Sequence, residues 1–249
     1  MTDTAPQSAP QTPEAIRAAL LDAILPHVTF DGWSEPAFRA AVADAHALTG
    51  LDPSLARATC PRGAVDLALD YHALGDARML ARLRRENLSA LRFRDRVATA
   101  VRFRLEAAEE KDAVRRATTL FALPHMAADG ARAVWNTADR IWTALGDSSE
   151  DVNWYTKRAT LSGVYSATLL YWLGDSSPGH QDTWDFLDRR IDDVMRFEKV
   201  KGAVNGNPVF RTAFAVPLWL LGRIRAPMRP AETEMPGMHS APSAPAESR

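Results

Sequence analysis

Residues 43–54 read ADAHALTGLDPS, and this stretch decides the fold. Helix-forming Ala, His and Leu run up to Thr49. Gly50 then supplies the left-handed backbone that ends a helix, and Leu51 is an apolar plug for the corner. Asp52 followed by Pro53 starts the next helix, an acidic cap ahead of a first-turn Pro. Working outward, Ser34-Glu35-Pro36 opens the preceding helix in the same way. The result is helix, tight Gly turn, short helix, turn, helix, over Glu35 to Asp66. Beyond it the chain keeps a helical period, with Gly and Pro between apolar stretches rather than inside them and no run of alternating β-branched residues. Helices are predicted over 13–25, 35–48, 52–59, 63–73, 75–87, 89–107, 110–122, 129–145, 151–173, 180–200 and 207–224. The domain reading is a helix-turn-helix-like module over 13–75 and a bundle of longer amphipathic helices over 76–200. Residues 1–12 and 227–249 read as disordered tails, being rich in Pro, Ser, Ala and Thr or Glu.

The turn at Gly50 is similar to the N-terminal module of TetR-type regulators, where the short second helix enters the major groove. Here that helix, Asp52 to Thr59, holds one Arg, one Asp and no Lys, Asn, Gln or Tyr. Reading DNA needs cations for phosphates and polar groups for base edges, so the module is read as a packing scaffold. A TetR-type regulator with a hydrophobic pocket stands as the alternative function. Nine Arg crowd residues 78–104 against Glu86 and Asp95. They are read as solvated faces paired with acids elsewhere rather than as a phosphate-binding patch.

Net charge is −1 over 249 residues, so no global field drives the chain onto nucleic acid or membrane. The single cysteine, Cys60, excludes an internal disulfide and a cysteine-rich metal site. The six His are scattered, and no HExxH, Glu-x-x-His, phosphate loop or GxSxG elbow occurs. No catalytic residue, cofactor or metal is therefore assigned, and the chain is read as not an enzyme. There is no signal-peptide pattern, and no Arg or Lys precedes Arg17. That reading places the protein in a bacterial cytoplasm, peripheral on the inner membrane, in preference to a mitochondrial matrix.

Residues 151–173 carry Trp154, Leu161, Tyr165, Thr168 and Trp172 along one helical face, with Arg158 and Leu169 beside it. Ala159, Gly163, Ser166 and Ala167 lie opposite, so the helix is expected to be buried on both sides. Its large face either packs in the core or lines an elongated apolar pocket, together with the apolar face of the next helix (Trp184, Leu187, Ile191, Val194). The candidate pocket-lining residues are Leu161, Tyr165, Leu169, Trp172, Leu187 and Ile191, which become the lipid-binding candidates under the family resemblance given below. The acidic face of that next helix, Asp182, Asp185, Asp188 and Asp192, is read as solvated and paired with Arg189 and Arg196. Trp154 and Tyr155 fall in a first turn beside Asp151 and Asn153, where they read either as anchors of a partner interface or as a capping, partly buried aromatic pair. Val209 to Ile224 (VFRTAFAVPLWLLGRI) is apolar with flanking Arg and no acid. Within 207–225, Phe210, Phe214, Leu218, Trp219 and Leu221 are expected to contact a membrane in its plane, the alternative being a last packing helix or an oligomer contact.

Three of these stretches, LPH at 123–125, DSSEDVNWYTKR at 147–158 and DTWDFLDRR at 182–190, resemble the Coq nine family of ubiquinone-biosynthesis accessory proteins. The resemblance spans about 115–200 and more loosely 13–115. It implies an all-α, TetR-like bundle without DNA binding, a bound isoprenoid lipid or quinone intermediate, and a C-terminal amphipathic helix that docks on a membrane surface. It also implies a partner, the di-iron demethoxyubiquinone hydroxylase or an equivalent, facing Asp151, Asn153, Trp154 and Tyr155. A second copy of the chain is a further candidate partner.

Overall fold

The computed structural model describes residues 12–205, with side chains through Val194. The expected tails and the segment 207–225, with Phe210, Phe214, Leu218, Trp219 and Leu221, lie outside the described residues. Nine helices follow one another there: α1 (Pro13–Asp31), α2 (Glu35–Thr49), α3 (Pro53–Thr59), α4 (Ala64–Arg85), α5 (Phe93–Glu106), α6 (Lys111–Phe121), α7 (Ala127–Ala144), α8 (Val152–Gly174) and α9 (Gln181–Asn205). No strand occurs among the described residues.

The caps lie where short polar side chains precede the helices. Ser34 Oγ accepts from Ala37 N (3.3 Å), and Asp52 accepts from Ser54 N (2.7 Å). Each satisfies a backbone N–H that has no partner inside its helix. Gly50 takes φ 74° and ψ 16°, and its N–H closes on the His46 carbonyl (2.8 Å). A side chain there would be strained, so the Gly turn is what sends α3 away from α2.

Two helices run further than the sequence predicts. The break expected after Leu25 is absent, and α1 continues through Pro26 to Asp31. Pro26 and the Asp22 carbonyl it cannot bond are both on exposed residues, where water substitutes for the lost helix bond. The break expected at Leu74–Gly75 is absent as well: α4 is one helix of 22 residues. Gly75 is buried there because the Arg104 guanidinium of α5 lies on it. A Cβ at this position would stand 2.5 Å from Arg104 Nη1. Gly75→Ala is expected to cost roughly 1–3 kcal/mol despite Ala's better helix propensity, because Arg104 must shift. Urea unfolding of the variant measures this, and a gain in stability would refute the close packing.

The boundary expected between residues 75 and 76 lies inside α4, so the two units share a helix rather than a linker. The core divides around it. One cluster joins α1, α2, α3 and the first half of α4 (Leu20, Ile24, Phe38, Leu51, Leu67) with Ala113 of α6. There Trp33 Nε1 donates to the Ala113 carbonyl (3.0 Å). Cys60 is fully buried in this cluster as a small apolar group. The other cluster packs Met79 of α4 with α5, α7, α8 and α9, through Val101, Ile141, Tyr165, Trp172 and Leu187.

α8 is not buried on both sides. Its large face is, but Ala159 and Gly163 on the small face are exposed, and nothing lies within 4 Å of where a Gly163 side chain would begin. Among the described side chains, which stop short of Arg196, two of the α9 acids find a partner other than Arg189. Asp192 and Asp188 pair with Arg94 of α5 (3.0 and 3.7 Å), since the helix packed alongside reaches them.

Candidate functional site

A cavity of about 330 Å³ lies among α4, α5, α6, α7 and α8. Small residues on the surrounding helices, such as Ala68, Ala117 and Ala133, leave the space, and Phe121, Val134 and Leu169 give it apolar walls. Tyr165 and Leu169 of the six expected lipid-binding residues line it. His72 and Arg104 also line it and give it a polar end.

That end is built on Asp76, which is 1% exposed. Its carboxylate accepts from Arg104 Nε (2.6 Å), Thr137 Oγ1 (2.7 Å) and Arg140 Nη1 (3.1 Å). Arg104 Nη2 donates to the His72 carbonyl (2.9 Å), and the guanidinium stands 5.7 Å from the centre of the Tyr165 ring. The Thr137 hydroxyl proton goes to Asp76. His72 Nε2, 2.8 Å from Thr137 Oγ1 and 3.2 Å from the Ala133 carbonyl, is therefore assigned as the donor. Burial, helped by the Arg104 charge and opposed by Asp76, pushes the His72 imidazole down to about 4, so it is neutral near pH 7. Sequence reading missed His72, Asp76 and Arg104. Asp76 at i+4 from His72 was the available signal, but nothing in the sequence paired it with Arg104.

A second cavity, about 410 Å³, lies among α5, the end of α7, α8 and α9. Leu161 and Ile191 line this one, beside the stacked rings of Phe93 and Trp142 (5.6 Å). Trp172 and Leu187 line neither cavity and are buried core residues. The six residues taken together from the sequence are thus split among two cavities and the core, because α8 turns different parts of its large face to different neighbours.

At the start of α8, Asp151 accepts from Asn153 N (2.9 Å) and from Asn153 Nδ2 (2.9 Å), so both cap the helix. Trp154 and Tyr155 are half-buried and pack with each other (4.8 Å between ring centres) and with Trp135 of α7 (5.9 and 6.4 Å). Trp135 belongs to this aromatic corner and was not picked from the sequence. Arg158 fastens the corner from beneath. It is fully buried, 4.0 Å from the Trp154 ring, and donates to Asp139 (2.5 Å), Asp147 (2.9 Å) and the Trp154 carbonyl (3.1 Å). Burial alone would raise the Asp147 carboxyl, but hydrogen bonds from Lys157, Ser149 and Arg158 hold it down at about 2.

On the short helix α3, Arg57 pairs with Glu35 and lies over the Phe38 ring (4.4 Å). Its one cation is engaged within the module. Among the described residues, no three His, Cys, Asp or Glu are grouped to hold a metal ion, and no helix is long and apolar enough to cross a membrane.

The COQ9 family model matches residues 127–198, from the start of α7 into α9. This segment contains both NWYTKR and DTWDFLDRR. The chain resembles the COQ9 family. It is 31% identical over 198 residues to the ubiquinone biosynthesis protein COQ9, mitochondrial, of Drosophila melanogaster, covering 78% of this chain and 59% of that protein. It is 32% identical over 196 residues to COQ9 of Rattus norvegicus, covering 74% and 60%. The chain spans about three fifths of the length of these curated relatives. The crystal structure of a TetR transcriptional regulator from Nitrosomonas europaea superposes with a TM-score of 0.56 at 18% identity, over 71% of this chain and 96% of that one. The fold of this COQ9-like chain is accordingly all-α and TetR-like. Both relatives carry mitochondrial in their names, which overturns the bacterial cytoplasmic and inner-membrane location expected from the sequence. That expectation rested on the charge of the first residues, which does not report where the folded part acts.

Proposed function

We propose that this protein is a non-enzymatic accessory protein of ubiquinone biosynthesis. It binds an isoprenoid quinone intermediate and presents it at a membrane to a partner hydroxylase. The observation that carries this reading is the apolar cavity beneath Tyr165 and Leu169, whose α7 and α8 walls fall within the stretch matching COQ9. Apolar walls with a few convergent polar groups suit an isoprenoid tail with a polar ring. His72, Arg104 and Tyr165 supply the polar end. The aromatic corner of Trp135, Trp154 and Tyr155, capped by Asp151 and Asn153, is the surface for the partner. Segment 207–225 is the membrane contact. A DNA-binding regulator is disfavoured by the engaged Arg57 and by the composition of α3.

Native mass spectrometry of the purified chain is expected to show a co-purified isoprenoid lipid. Leu169→Trp, which fills the cavity, is expected to reduce its occupancy several-fold while circular dichroism stays unchanged. A wild-type protein that is always free of lipid would sink the reading.

A further inference from the structure

The Arg-rich run at 78–104 is only partly absorbed by ion pairs. Arg78 pairs with Glu109, Arg82 and Arg102 with Glu106, Arg94 with Asp192, and Arg104 with Asp76. Arg84, Arg85, Arg92 and Arg96 have no acidic partner among the described residues. These four are not spread around the helices. Arg84 and Arg85 close α4, Arg92 is the last residue before α5, and Arg96 is in its first turn. They gather at the α4–α5 connection, against Glu86 and an Asp95 that Arg94 already faces (3.8 Å). α4 is about 33 Å long at its residue count, so this connection stands at the far end of the molecule from the helix-turn-helix-like module.

Helix stability does not account for the cluster. Arg84 and Arg85 complement the negative end of α4, but Arg92 and Arg96 sit at the positive end of α5, where cations are unfavourable. The connection is also ordered. Asn87 Oδ1 accepts from Ser89 N (3.1 Å) and Ser89 Oγ (2.7 Å), and Leu91 N donates to the Leu88 carbonyl (3.1 Å). This turn holds Leu91 at 39% exposure beside the cations, while the Phe93 ring, 40% exposed, stacks on Trp142 with the Arg96 guanidinium over it (5.3 Å).

We propose that the α4–α5 connection is a docking surface for an anionic lipid bilayer, with Arg84, Arg85 and Arg92 on the headgroup phosphates and Leu91 dipping into the interface. Cations gathered at one connection beside an exposed apolar side chain match a charged surface with an apolar interior. A nucleic acid would use the cations but leave Leu91 without a role. Phe93 and Arg94 also line the second cavity, so docking here brings that wall of the cavity near the bilayer. The surface is separate from segment 207–225 and from the cavity ligand of the proposed function.

The test uses the full chain with Leu91→Cys carrying an environment-sensitive dye. Cys60 does not compete for the label, being buried with its thiol pushed up to about 11 by that burial. Vesicles containing phosphatidylglycerol are expected to shift the dye emission to the blue, and phosphatidylcholine vesicles to leave it unchanged. The same dye at Leu48→Cys, an exposed position on α2, should not respond. In co-sedimentation, the triple variant Arg84→Gln, Arg85→Gln, Arg92→Gln is expected to lose roughly a hundredfold in affinity for the anionic vesicles. Sedimentation of the labelled protein with a silent dye at position 91 would overturn the proposal. So would a triple variant that binds vesicles like the wild type, or one that loses only binding to duplex DNA. The lipid seen by mass spectrometry does not enter any of these readouts, so the two proposals fail separately.

Discussion

Asp76→Asn is expected to destabilise the protein by about 3–5 kcal/mol, the usual cost of stripping one partner from a buried ion pair. The substitution keeps the shape of the side chain, so no cavity contributes. What changes is charge. Arg104, 5% exposed, would keep its full positive charge in the interior with no anion beside it. The other two groups on the carboxylate feel the loss less. Arg140 is half exposed to water, and the Thr137 hydroxyl can turn back to the Ala133 carbonyl (3.3 Å). For a chain of this size the loss corresponds to a fall of roughly 6–20 °C in melting temperature. Asp76→Asn combined with Arg104→Met should recover part of it, since the stranded charge is then gone. Calorimetry of the two variants checks this. A single variant within about 1 kcal/mol of wild type would mean that water reaches Arg104, which contradicts its burial.

The second large effect is with pH. His72 ionises at about 4 when folded, against about 6.5 in an unfolded chain. Between those values the unfolded state takes up a proton that the folded state refuses. Stability therefore falls as pH falls through that window, by about 2 kcal/mol at pH 5 and about 3 kcal/mol at pH 4. The groups around the imidazole explain the refusal. Burial comes first, then the Arg104 charge, and Asp76 only partly offsets them. Urea unfolding at pH 7 and pH 5 is expected to differ in wild type and much less in His72→Gln, where the titrating group is gone. Equal pH dependence in both proteins would assign the acid sensitivity elsewhere. Ligand affinity of the folded protein should hold steady down to about pH 5, because His72 lines the cavity and stays neutral there until the pH nears its folded value of about 4.

Both effects sit at a site that the sequence shows poorly. Periodicity marks which face of a helix is apolar, and it found Tyr165, Leu169, Leu161 and Ile191 in that way. It does not say which neighbour each part of the face meets, so Trp172 and Leu187 were grouped with them although both are core. Buried charges are harder still. Asp76 and Arg104 lie on different helices, and alone each looks like a solvated surface residue. Trp135 was missed for the same reason, since its link to Trp154 and Tyr155 runs between α7 and α8. Gly75 read as a break because Gly weakens helices, while its role is to admit the Arg104 guanidinium.

What the sequence determined by itself is local. Gly50, Leu51 and the Asp52-Pro53 start dictate the turn between α2 and α3, since each acts through its own backbone or its nearest neighbours. The helical period of the remaining chain dictates an all-α fold, and the NWYTKR and DTWDFLDRR stretches carry the resemblance to the COQ9 family. The tertiary structure alone decided what depends on distant residues meeting. It split one apolar stripe between two cavities and left the small face of α8 open. It paired Asp76 with Arg104, and among the described residues it left four Arg at the α4–α5 connection without acids. These outcomes turn on burial and on the sign of the nearest charge, and neither quantity exists until helices far apart in the chain are packed together.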